Sequence, residues 1–217
     1  MATSTAWWRR CARRWRPERT RVAKRLFDLL VASMALLLLS PLLLLAALWI
    51  KFDSPGPVFF RQERVGRHGV PFRIHKFRTM HAGAAGLSLT VGDDPRITRA
   101  GAFLRRTRLD ELPQLIDVLR GAMSLVGPRP EVPRYVAHYP PGLRERALAV
   151  RPGITDPSSL AFIDEAALLA RAADPEREYI DVILPKKLRC AVDYAEHATL
   201  WTDLGLLART LRVLLAR

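Results

Sequence analysis

An adjacent aspartate and glutamate lie beside a cluster of arginines near the middle of the chain. Asp110 and Glu111 follow Arg105, Arg106 and Arg108 within a few residues. The local pattern predicts a helix that begins at Asp110, and the free N–H groups and dipole of a helix start favour bound anions. Together these features indicate an anion site that contains a carboxylate. A solvated salt-bridge cluster at a helix start has the same composition and is the alternative interpretation.

A second basic element stands between two prolines. Pro128 and Pro130 flank Arg129 and restrict the backbone on both sides, so the guanidinium is presented from a stiff turn. A planar guanidinium held in this way suits bidentate binding of a phosphate or a carboxylate. The alternative is a structural turn in which Arg129 pairs with Glu131.

Three further basic residues stand close to predicted turns and strand ends. Lys76 and Arg78 lie at the end of a predicted hairpin, and Arg96 follows the dipeptide Asp94-Pro95. Their charge makes them candidates for contacts with the same anionic substrate. The sequence therefore predicts a cationic site assembled from several separate segments.

Composition and charge limit the classes of function. The 217 residues allow one ordinary domain plus a membrane segment. A net charge of +14 is typical of proteins that bind nucleic acid or anionic membranes. Because basic residues crowd beside an apolar segment, we predict membrane lipid as a partner and no nucleic acid. Neither the two cysteines nor the five histidines show the spacing of a disulfide framework or a zinc site.

One apolar run is long enough to enter a bilayer. Residues 29–50, from Leu29 to Ile50, carry no charge, and their polar residues are Ser33 and Ser40. About 20 apolar residues are needed to cross the hydrocarbon core. A cleaved secretory signal fits poorly, because the run is too long and no small-residue cleavage site follows it. We therefore expect this segment to remain in the mature protein.

Both flanks of the run are basic. The basic residues upstream are Arg9, Arg10, Arg13, Arg14, Arg16, Arg19, Arg21, Lys24 and Arg25, and those downstream are Lys51, Arg61, Arg64, Arg67, Arg73, Lys76 and Arg78. Since positive residues favour the cytoplasmic side, a straight span would place one basic flank outside. Pro41 bends a helix, and the Ser40 hydroxyl can bond back to the preceding turn. We predict a re-entrant helix-break-helix, with a kinked spanning helix as the alternative.

The rest of the sequence predicts an α+β domain that is mainly helical. Residues 58–60 and 72–74 predict paired strands around a turn at residues 66–69, and residues 82–92 predict a mobile glycine-rich loop. Helices are predicted after Pro95 to about Arg106, and over residues 110–121, 141–148, 164–173, 181–196 and 200–215. The last has a leucine-rich face with Trp201 near its start, which suits either the membrane interface or the core. Three segments follow: a basic leader (1–22), a membrane hairpin (23–51) and a cytoplasmic catalytic domain (52–217).

The order of these motifs resembles that of the bacterial sugar transferases, which are monotopic phosphoglycosyltransferases acting on polyprenyl phosphate. The matching stretches are residues 24–28, 40–41, 54–60, 61–66, 76–80, 94–98, 104–114, 124–131 and 151–155. The resemblance covers the chain from about Ala23 to its C-terminal end. Because so many motifs occur in the same order, the resemblance is highly specific.

The resemblance implies that a sugar-1-phosphate passes from a nucleotide-diphosphate sugar to polyprenyl phosphate. Asp110 would be the nucleophile, forming an acyl phosphate and releasing a nucleoside monophosphate, after which the lipid phosphate attacks. Mg²⁺ would neutralise the diphosphate, with Asp110 approaching the metal. Glu111 would assist in acid–base chemistry or positioning. This activity belongs on the cytoplasmic face of the inner membrane.

The resemblance also implies phosphate contacts. Arg105 and Arg129 are the principal expected contacts, and the further ones are Lys76, Arg78 and Arg96. Two positions depart from the family pattern. Asp156 stands where a glycine is usual, and Ile163 stands where an arginine is expected. These departures put a third phosphate contact in doubt and leave open a changed substrate choice, a weakened activity or a degenerate scaffold. A separate alternative is a single-spanning membrane protein whose basic domain binds anionic lipid or nucleic acid without catalysis.

Overall fold

The computed structural model describes residues 17–84, 86, 89–162 and 164–215. This part of the chain is mainly helical and carries small two-stranded sheets, which confirms the predicted α+β composition. Most of the predicted basic leader, residues 1–16, lies outside the described residues, as does Ile163. The described end of the leader, from Pro17, already belongs to the first helix.

The first helix, α1 (Pro17–Asp53), contains the whole apolar run. It continues through Ser40 and Pro41, so the structure replaces the predicted helix-break-helix with one continuous helical element. The Ser40 hydroxyl donates to the carbonyl of Leu37 at 2.8 Å, as the sequence predicted, and this bond supports the helix where the proline removes a donor. Among the described residues, α1 is the one helix long and apolar enough to cross a membrane.

Polar contacts fasten the N-terminal part of α1 to the domain. Asp28 is buried and accepts hydrogen bonds from the Ser124 hydroxyl at 2.8 Å and the Leu125 N–H at 3.2 Å. Lys24 donates to Asp203 at 2.5 Å, which connects α1 with the C-terminal helix. Because a buried carboxylate is costly without partners, these bonds hold α1 in a defined position.

The C-terminal part of α1 packs on the same domain through apolar contacts. Ala46 and Ile50 are buried in a cluster with Phe77 and Leu104. The middle of the helix has no such cover, and Leu37, for example, is 76% exposed. An exposed apolar face of this size is typical of a membrane-contacting surface.

A β-hairpin follows α1, with pairings that differ from the prediction. Strands β1 (Phe59–Phe60) and β4 (Lys76–Phe77) pair antiparallel, and β2 (Glu63–Val65) pairs with β3 (Pro71–Arg73). The predicted turn is confirmed as a 3-10 turn over Arg67–Gly69. Since this turn brings residues 65 and 71 together, residues 59–60 must find their partner further along, at 76–77 rather than 72–74.

The segment that carries Asp110 is wound more tightly than predicted. Helix α2 (Arg99–Thr107) ends at Arg108, whose φ of 59° is left-handed. A 3-10 helix (Leu109–Gln114) and helix α3 (Leu115–Leu119) follow. Asp110 therefore lies within a 3-10 turn and is not the N-cap of a regular helix, because the left-handed residue already redirects the chain before it.

A short parallel sheet, absent from the sequence prediction, supports the Arg129 turn. Strand β5 (Ser124–Val126) pairs with β6 (Gly153–Thr155). Their backbones approach so closely beyond the strands that a Cβ on Gly127 would collide with the carbonyl of Arg151. This contact places the turn around Arg129 against the segment that leads to Asp156.

The remaining elements are helical and cover one side of the domain. They are α4 (Pro133–Val136), α5 (Pro141–Ala147), α6 (Pro157–Ala161), α7 (Glu165–Leu169), α8 (Pro175–Glu178), a π-helical turn (Tyr179–Ile183), α9 (Leu184–His197) and α10 (Leu200–Leu215). The predicted helices at 141–148, 164–173, 181–196 and 200–215 are thus confirmed with shifted ends. Along α10, Leu206 is buried whereas Trp201 and Leu211 are exposed, so the helix divides its apolar side chains between core and surface.

Candidate active site

Asp110 and Lys76 form the centre of the site. Lys76 on β4 places its ammonium 2.8 Å from Asp110 Oδ2. Asp110 is buried, and its other oxygen, Oδ1, has no hydrogen-bond partner. Buried polar atoms are nearly always bonded, so an unpartnered carboxylate oxygen calls for a functional explanation. One oxygen is held by a cation and the second is buried with no partner, which makes Asp110 the candidate reactive group of the site.

Glu111 has several cationic partners. Arg129 Nη2 donates to Glu111 Oε1 at 2.7 Å, Lys76 Nζ lies 3.5 Å away and Arg108 Nη1 lies 3.8 Å away. The alternative pairing of Arg129 with Glu131 is therefore wrong, because the chain path carries the guanidinium to Glu111. Burial by itself raises the pKa of Glu111, but Arg129 and Lys76 outweigh burial and hold that pKa below its ordinary value.

The same ion pair affects Arg129. The negative charge of Glu111 raises the pKa of Arg129, against the opposing effect of burial. Arg129 therefore carries a permanent positive charge beside the Asp-Glu pair. If a phosphate replaced part of the contact between Arg129 and Glu111, the negative charge of the phosphate would balance the charge of Arg129 in the same way.

Arg105 approaches the site from α2. Its guanidinium donates to the hydroxyls of Thr90 at 2.5 Å and Thr79 at 3.5 Å. Burial lowers the pKa of Arg105, and the charge of Asp110 opposes that effect. The structure thus brings five sequence-predicted residues to one place: Lys76, Arg105, Asp110, Glu111 and Arg129.

A cavity of about 960 Å³ covers this cluster. Its basic lining residues are Arg61, Arg64, Lys76, Arg78, Arg96, Arg105, Arg106, Arg108, Arg129 and Lys187, and its acidic ones are Asp110, Glu111, Glu131 and Glu165. The volume is at the upper end of the range of about 300–1,000 Å³ for small-molecule sites. Ten basic against four acidic groups make it suitable for a large anion.

Two predicted phosphate contacts reach the cavity but bond elsewhere. Arg78 donates to the carbonyls of Ser54 at 2.7 Å and Ile50 at 3.3 Å, and also to that of Pro55. It thereby satisfies carbonyls at the C-terminal end of α1, as a cation in that position commonly does. Gly56 permits this arrangement, since a Cβ there would collide with the Arg78 guanidinium.

Arg96 is engaged mainly with its neighbour. Its Nε and Nη2 donate to Asp94 at 2.8 and 2.5 Å, and Nη2 also reaches the carbonyl of Leu89 at 3.1 Å. These bonds lower the pKa of Asp94. Arg96 thus connects the segment before α2 with the loop over the cavity. Its assignment as a phosphate contact stays a prediction, as does that of Arg78.

Sequence reasoning missed a buried brace behind Lys76. Asp117 accepts from the backbone N–H of His75 at 2.7 Å and lies 2.6 Å from His75 Nδ1. Arg61 and Arg120 both approach His75 Nε2, at 2.5 and 3.2 Å. The brace fixes β4 against α3 and so fixes Lys76 against Asp110. Nothing local in the sequence links His75 with Asp117, which lie 42 positions apart.

The structure explains one departure from the family pattern. Asp156 is buried and caps α6, accepting from the N–H groups of Ser158 at 2.5 Å and Ser159 at 2.9 Å and from the Ser159 hydroxyl. This is the usual function of an aspartate at an N-cap. The second departure, Ile163, lies outside the described residues.

The side chains around Asp110 fit a metal carried mainly by its substrate. Among the residues that the structure describes, no group of three or more His, Cys, Asp or Glu side chains could hold a metal. Mg²⁺ is commonly bound by one or two carboxylates, waters and substrate phosphates. Asp110, whose carboxylate is not fully partnered, is the side chain of the site that could contribute such a ligand. These residues fit Mg²⁺ brought by a diphosphate.

Comparison with known proteins shows what the chain is similar to. The chain is 42% identical over 197 residues to a UDP-glucose:undecaprenyl-phosphate glucose-1-phosphate transferase of Caulobacter vibrioides, covering 88% of this chain and 69% of that protein. It is 38% identical over 197 residues to a UDP-N-acetylgalactosamine-undecaprenyl-phosphate N-acetylgalactosaminephosphotransferase of Aeromonas hydrophila, covering 88% and 43%. It is 47% identical over 139 residues to an Escherichia coli K12 protein named as the Caulobacter one is, covering 62% and 30%.

The last two relatives are longer proteins, of which the chain spans less than half. A family model described as "Bacterial sugar transferase" matches residues 19–217, which include α1 from Arg19 onward, the cavity and every residue of the site. The chain therefore belongs to the bacterial sugar transferase family of phosphoglycosyltransferases.

Proposed function

We propose that the protein transfers a sugar-1-phosphate from a nucleotide-diphosphate sugar to undecaprenyl phosphate through an aspartyl-phosphate intermediate. The observation that carries this proposal is the unpartnered oxygen of Asp110 at a cavity rich in arginine. A carboxylate nucleophile divides one difficult exchange into two easier ones. The names of the relatives, which specify UDP-sugars and undecaprenyl phosphate, support the choice of substrates.

In the first step, Asp110 Oδ1 attacks the phosphorus that bears the sugar. The bond from this phosphorus to the oxygen bridging the two phosphates breaks, and the nucleoside monophosphate leaves with the electron pair. Lys76 holds Oδ2 at 2.8 Å and so orients the carboxylate for attack. Arg105 and Arg129 are placed to stabilise the negative charge that spreads over the phosphate oxygens.

In the second step, an oxygen of the lipid phosphate attacks the same phosphorus. The phosphorus–oxygen bond to Asp110 breaks, which regenerates the carboxylate and leaves a sugar diphosphate on the lipid. Glu111, ionised and held by Arg129, keeps this guanidinium beside the reacting group through both steps. Mg²⁺, when bound, would supply charge neutralisation on the diphosphate, with Asp110 as its protein ligand.

The path of α1 supports access from a membrane. Both ends of the helix contact one domain, through Lys24 and Asp203 at one end and Ile50 and Phe77 at the other. Lys24 and Ala46 are 22 positions apart, so a straight helix would separate them by about 33 Å, close to the hydrocarbon thickness of about 30 Å, and would place them on opposite faces. A domain that contacts both ends favours placing both on the same face. We therefore propose a re-entrant α1, with the cavity on the cytoplasmic face of the inner membrane.

The activity is tested with purified full-length protein, Mg²⁺, undecaprenyl phosphate and radiolabelled UDP-sugars. We expect label in the lipid fraction, and Asp110→Asn should lower this transfer by more than about 1,000-fold. Mass spectrometry of the enzyme mixed with donor alone should find a sugar-phosphate adduct on wild type and none on Asp110→Asn. Asp193→Asn, at a carboxylate paired with His197 outside the cavity, serves as the control.

Transfer without an adduct, or equal transfer by Asp110→Asn, would contradict the aspartyl-phosphate step. No transfer with any donor would contradict the enzyme function and favour a scaffold. Topology is tested separately by labelling single cysteines introduced at Val22 and Phe52, which are 63% and 85% exposed. Labelling from opposite sides of the membrane would overturn the re-entrant arrangement.

A further inference from the structure

The cavity has two chemically different parts. One part, the cationic floor, consists of Lys76, Arg105, Arg108, Asp110, Glu111 and Arg129. The other, the balanced wall, consists of Arg64, Glu131, Phe162, Glu165, Tyr179 and Lys187. The floor accounts for the diphosphate of the donor. The wall has no part in the transfer chemistry described above.

Charges in the balanced wall compensate one another. Lys187 lies 2.5 Å from Glu165, and Arg64 lies 3.9 Å from Glu131. With two cations against two carboxylates, the wall offers no surplus positive charge for a second phosphate. It offers carboxylate oxygens that accept hydrogen bonds and an ammonium that donates them, and these suit neutral hydroxyl groups.

Glu131 is held in a fixed orientation. The Tyr179 hydroxyl donates to Glu131 Oε1 at 2.6 Å, and the Glu131 carbonyl accepts from the Val65 N–H at 2.9 Å. Tyr179 itself packs between the ring of Tyr135, 4.8 Å away, and the ammonium of Lys187, 4.9 Å from its centroid. Burial raises the pKa of Tyr179, which keeps its hydroxyl a donor. A carboxylate oriented in this way is pre-organised for a ligand.

The wall begins close to the phosphate-binding residues. Glu131 follows Arg129 by two positions, so their Cα atoms are at most about 7 Å apart. A group bonded directly to the transferred phosphate would therefore reach the wall. In a nucleotide-diphosphate sugar, this group is the sugar ring, which carries hydroxyls on most of its carbons.

We propose that the balanced wall binds the hydroxyl groups of the transferred sugar, with Glu131 as a specificity-determining residue positioned by Tyr179. This inference rests on the proposed transfer reaction and adds the means by which the enzyme chooses its sugar. Correctly placed hydroxyls donate to Glu131. An epimer that directs one hydroxyl away removes one hydrogen bond from the desolvated Glu131 carboxylate, which keeps only its contacts with Tyr179 and Arg64, and such a loss is how polar sites discriminate between ligands.

The test compares Glu131→Gln and Tyr179→Phe with wild type on two epimer pairs. These are UDP-glucose with UDP-galactose, and UDP-N-acetylglucosamine with UDP-N-acetylgalactosamine. In each variant, the preference in kcat/KM within the pair that contains the preferred donor should fall by about 10- to 100-fold. Inhibition by UMP should be unchanged. Glu196→Gln, whose exposed carboxylate pairs with Arg146 outside the cavity, should leave both quantities unchanged.

Two kinetic results would overturn the proposal. An equal fall for both members of the pair would mean that Glu131 supports the fold or the chemistry, and weaker UMP binding would place the nucleoside at the wall. Calorimetry of UDP-sugars against UDP provides a test that needs no turnover. A sugar-dependent affinity difference that Glu131→Gln abolishes supports the wall even where transfer fails, and an unaltered difference overturns it. Thermal unfolding identifies a variant that has lost its fold. If Glu131→Gln is such a variant, the same measurements on Tyr179→Phe test the proposal.

Discussion

The cationic floor and the balanced wall use similar residue types in opposite ways. In the floor, cations exceed carboxylates, and Asp110 retains an oxygen without a partner. In the wall, the charged side chains have partners of opposite sign, and Glu131 accepts a bond from a tyrosine hydroxyl. Surplus charge and an unpartnered atom are costly in a folded protein, whereas balanced pairs are not. The difference indicates that the floor is built for chemistry and the wall for recognition.

After the loss of the nucleophile in Asp110→Asn, the largest effect is expected from removing the Arg129 guanidinium. Arg129→Met leaves Glu111 buried without its main partner, so the free energy of unfolding should fall by about 3 kcal/mol. Transfer should fall by about 100-fold or more, because a group that stabilises phosphate charge is lost. Denaturant unfolding and the radiolabel assay measure the two quantities.

A double variant separates stability from chemistry at the floor. Glu111→Gln in the Arg129→Met background removes the uncompensated charge and should restore part of the stability without restoring transfer. Arg134→Met removes an arginine that is 59% exposed and paired with Glu176, and serves as the control. Full activity in Arg129→Met would contradict the assignment of this guanidinium to phosphate.

Lys76 tests the orientation of the nucleophile. Lys76→Met removes the ammonium 2.8 Å from Asp110 Oδ2, so kcat at saturating donor should fall by about 10- to 100-fold. Lys186→Met, at an exposed lysine on α9, is the matched control. An unchanged kcat would show that the carboxylate is oriented by other groups, such as the packing of its 3-10 turn.

The pH dependence of stability should show that Glu111 is ionised in the folded protein, with its charge compensated by Arg129 and Lys76. The pKa of Glu111 lies below its ordinary value of 4.5, so its ionised form stabilises the folded state above pH 4.5. This contribution is lost as the pH falls below 4.5 towards the lowered pKa, at no more than about 1.4 kcal/mol per pH unit. Glu111→Gln should show a correspondingly shallower loss below pH 4.5 by denaturant unfolding. Identical profiles would contradict the assigned charge compensation.

The smallest effect on stability is expected from replacing Asp156, the N-cap of α6. Asp156→Gly removes the N-cap side chain of α6, and the free energy of unfolding should fall by about a few tenths of a kcal/mol, because glycine is itself a tolerated N-cap. Because Asp156 bonds Ser158 and Ser159 rather than the floor, kcat should change little. Asp156→Asn, which retains a capping oxygen, should preserve stability. A loss of transfer larger than the loss of stability would give Asp156 a direct part in the reaction.

Local features of the site were predictable because they depend on neighbours in the chain. The proximity of Asp110 to several arginines was predicted from their spacing. The left-handed Arg108 and the 3-10 turn that follows it were not predicted, although they are local too. The Ser40 bond to Leu37 was predictable, since it spans three residues. In contrast, the hydrogen bonds of Arg78 to carbonyls at the end of α1 were not predictable, because the bond to Ser54 spans 24 positions.

By itself, the sequence determined that the chain carries one apolar segment, an Asp-Glu pair among arginines and an ordered series of family motifs, because these properties lie in residue types and short spacings. Only the tertiary structure decided which charges meet. Arg129 pairs with Glu111 across 18 positions rather than with Glu131, and Lys76 reaches Asp110 because β4 packs against the 3-10 turn. The physical reason is that ion pairs in a buried site follow the path of the chain, which long-range packing sets.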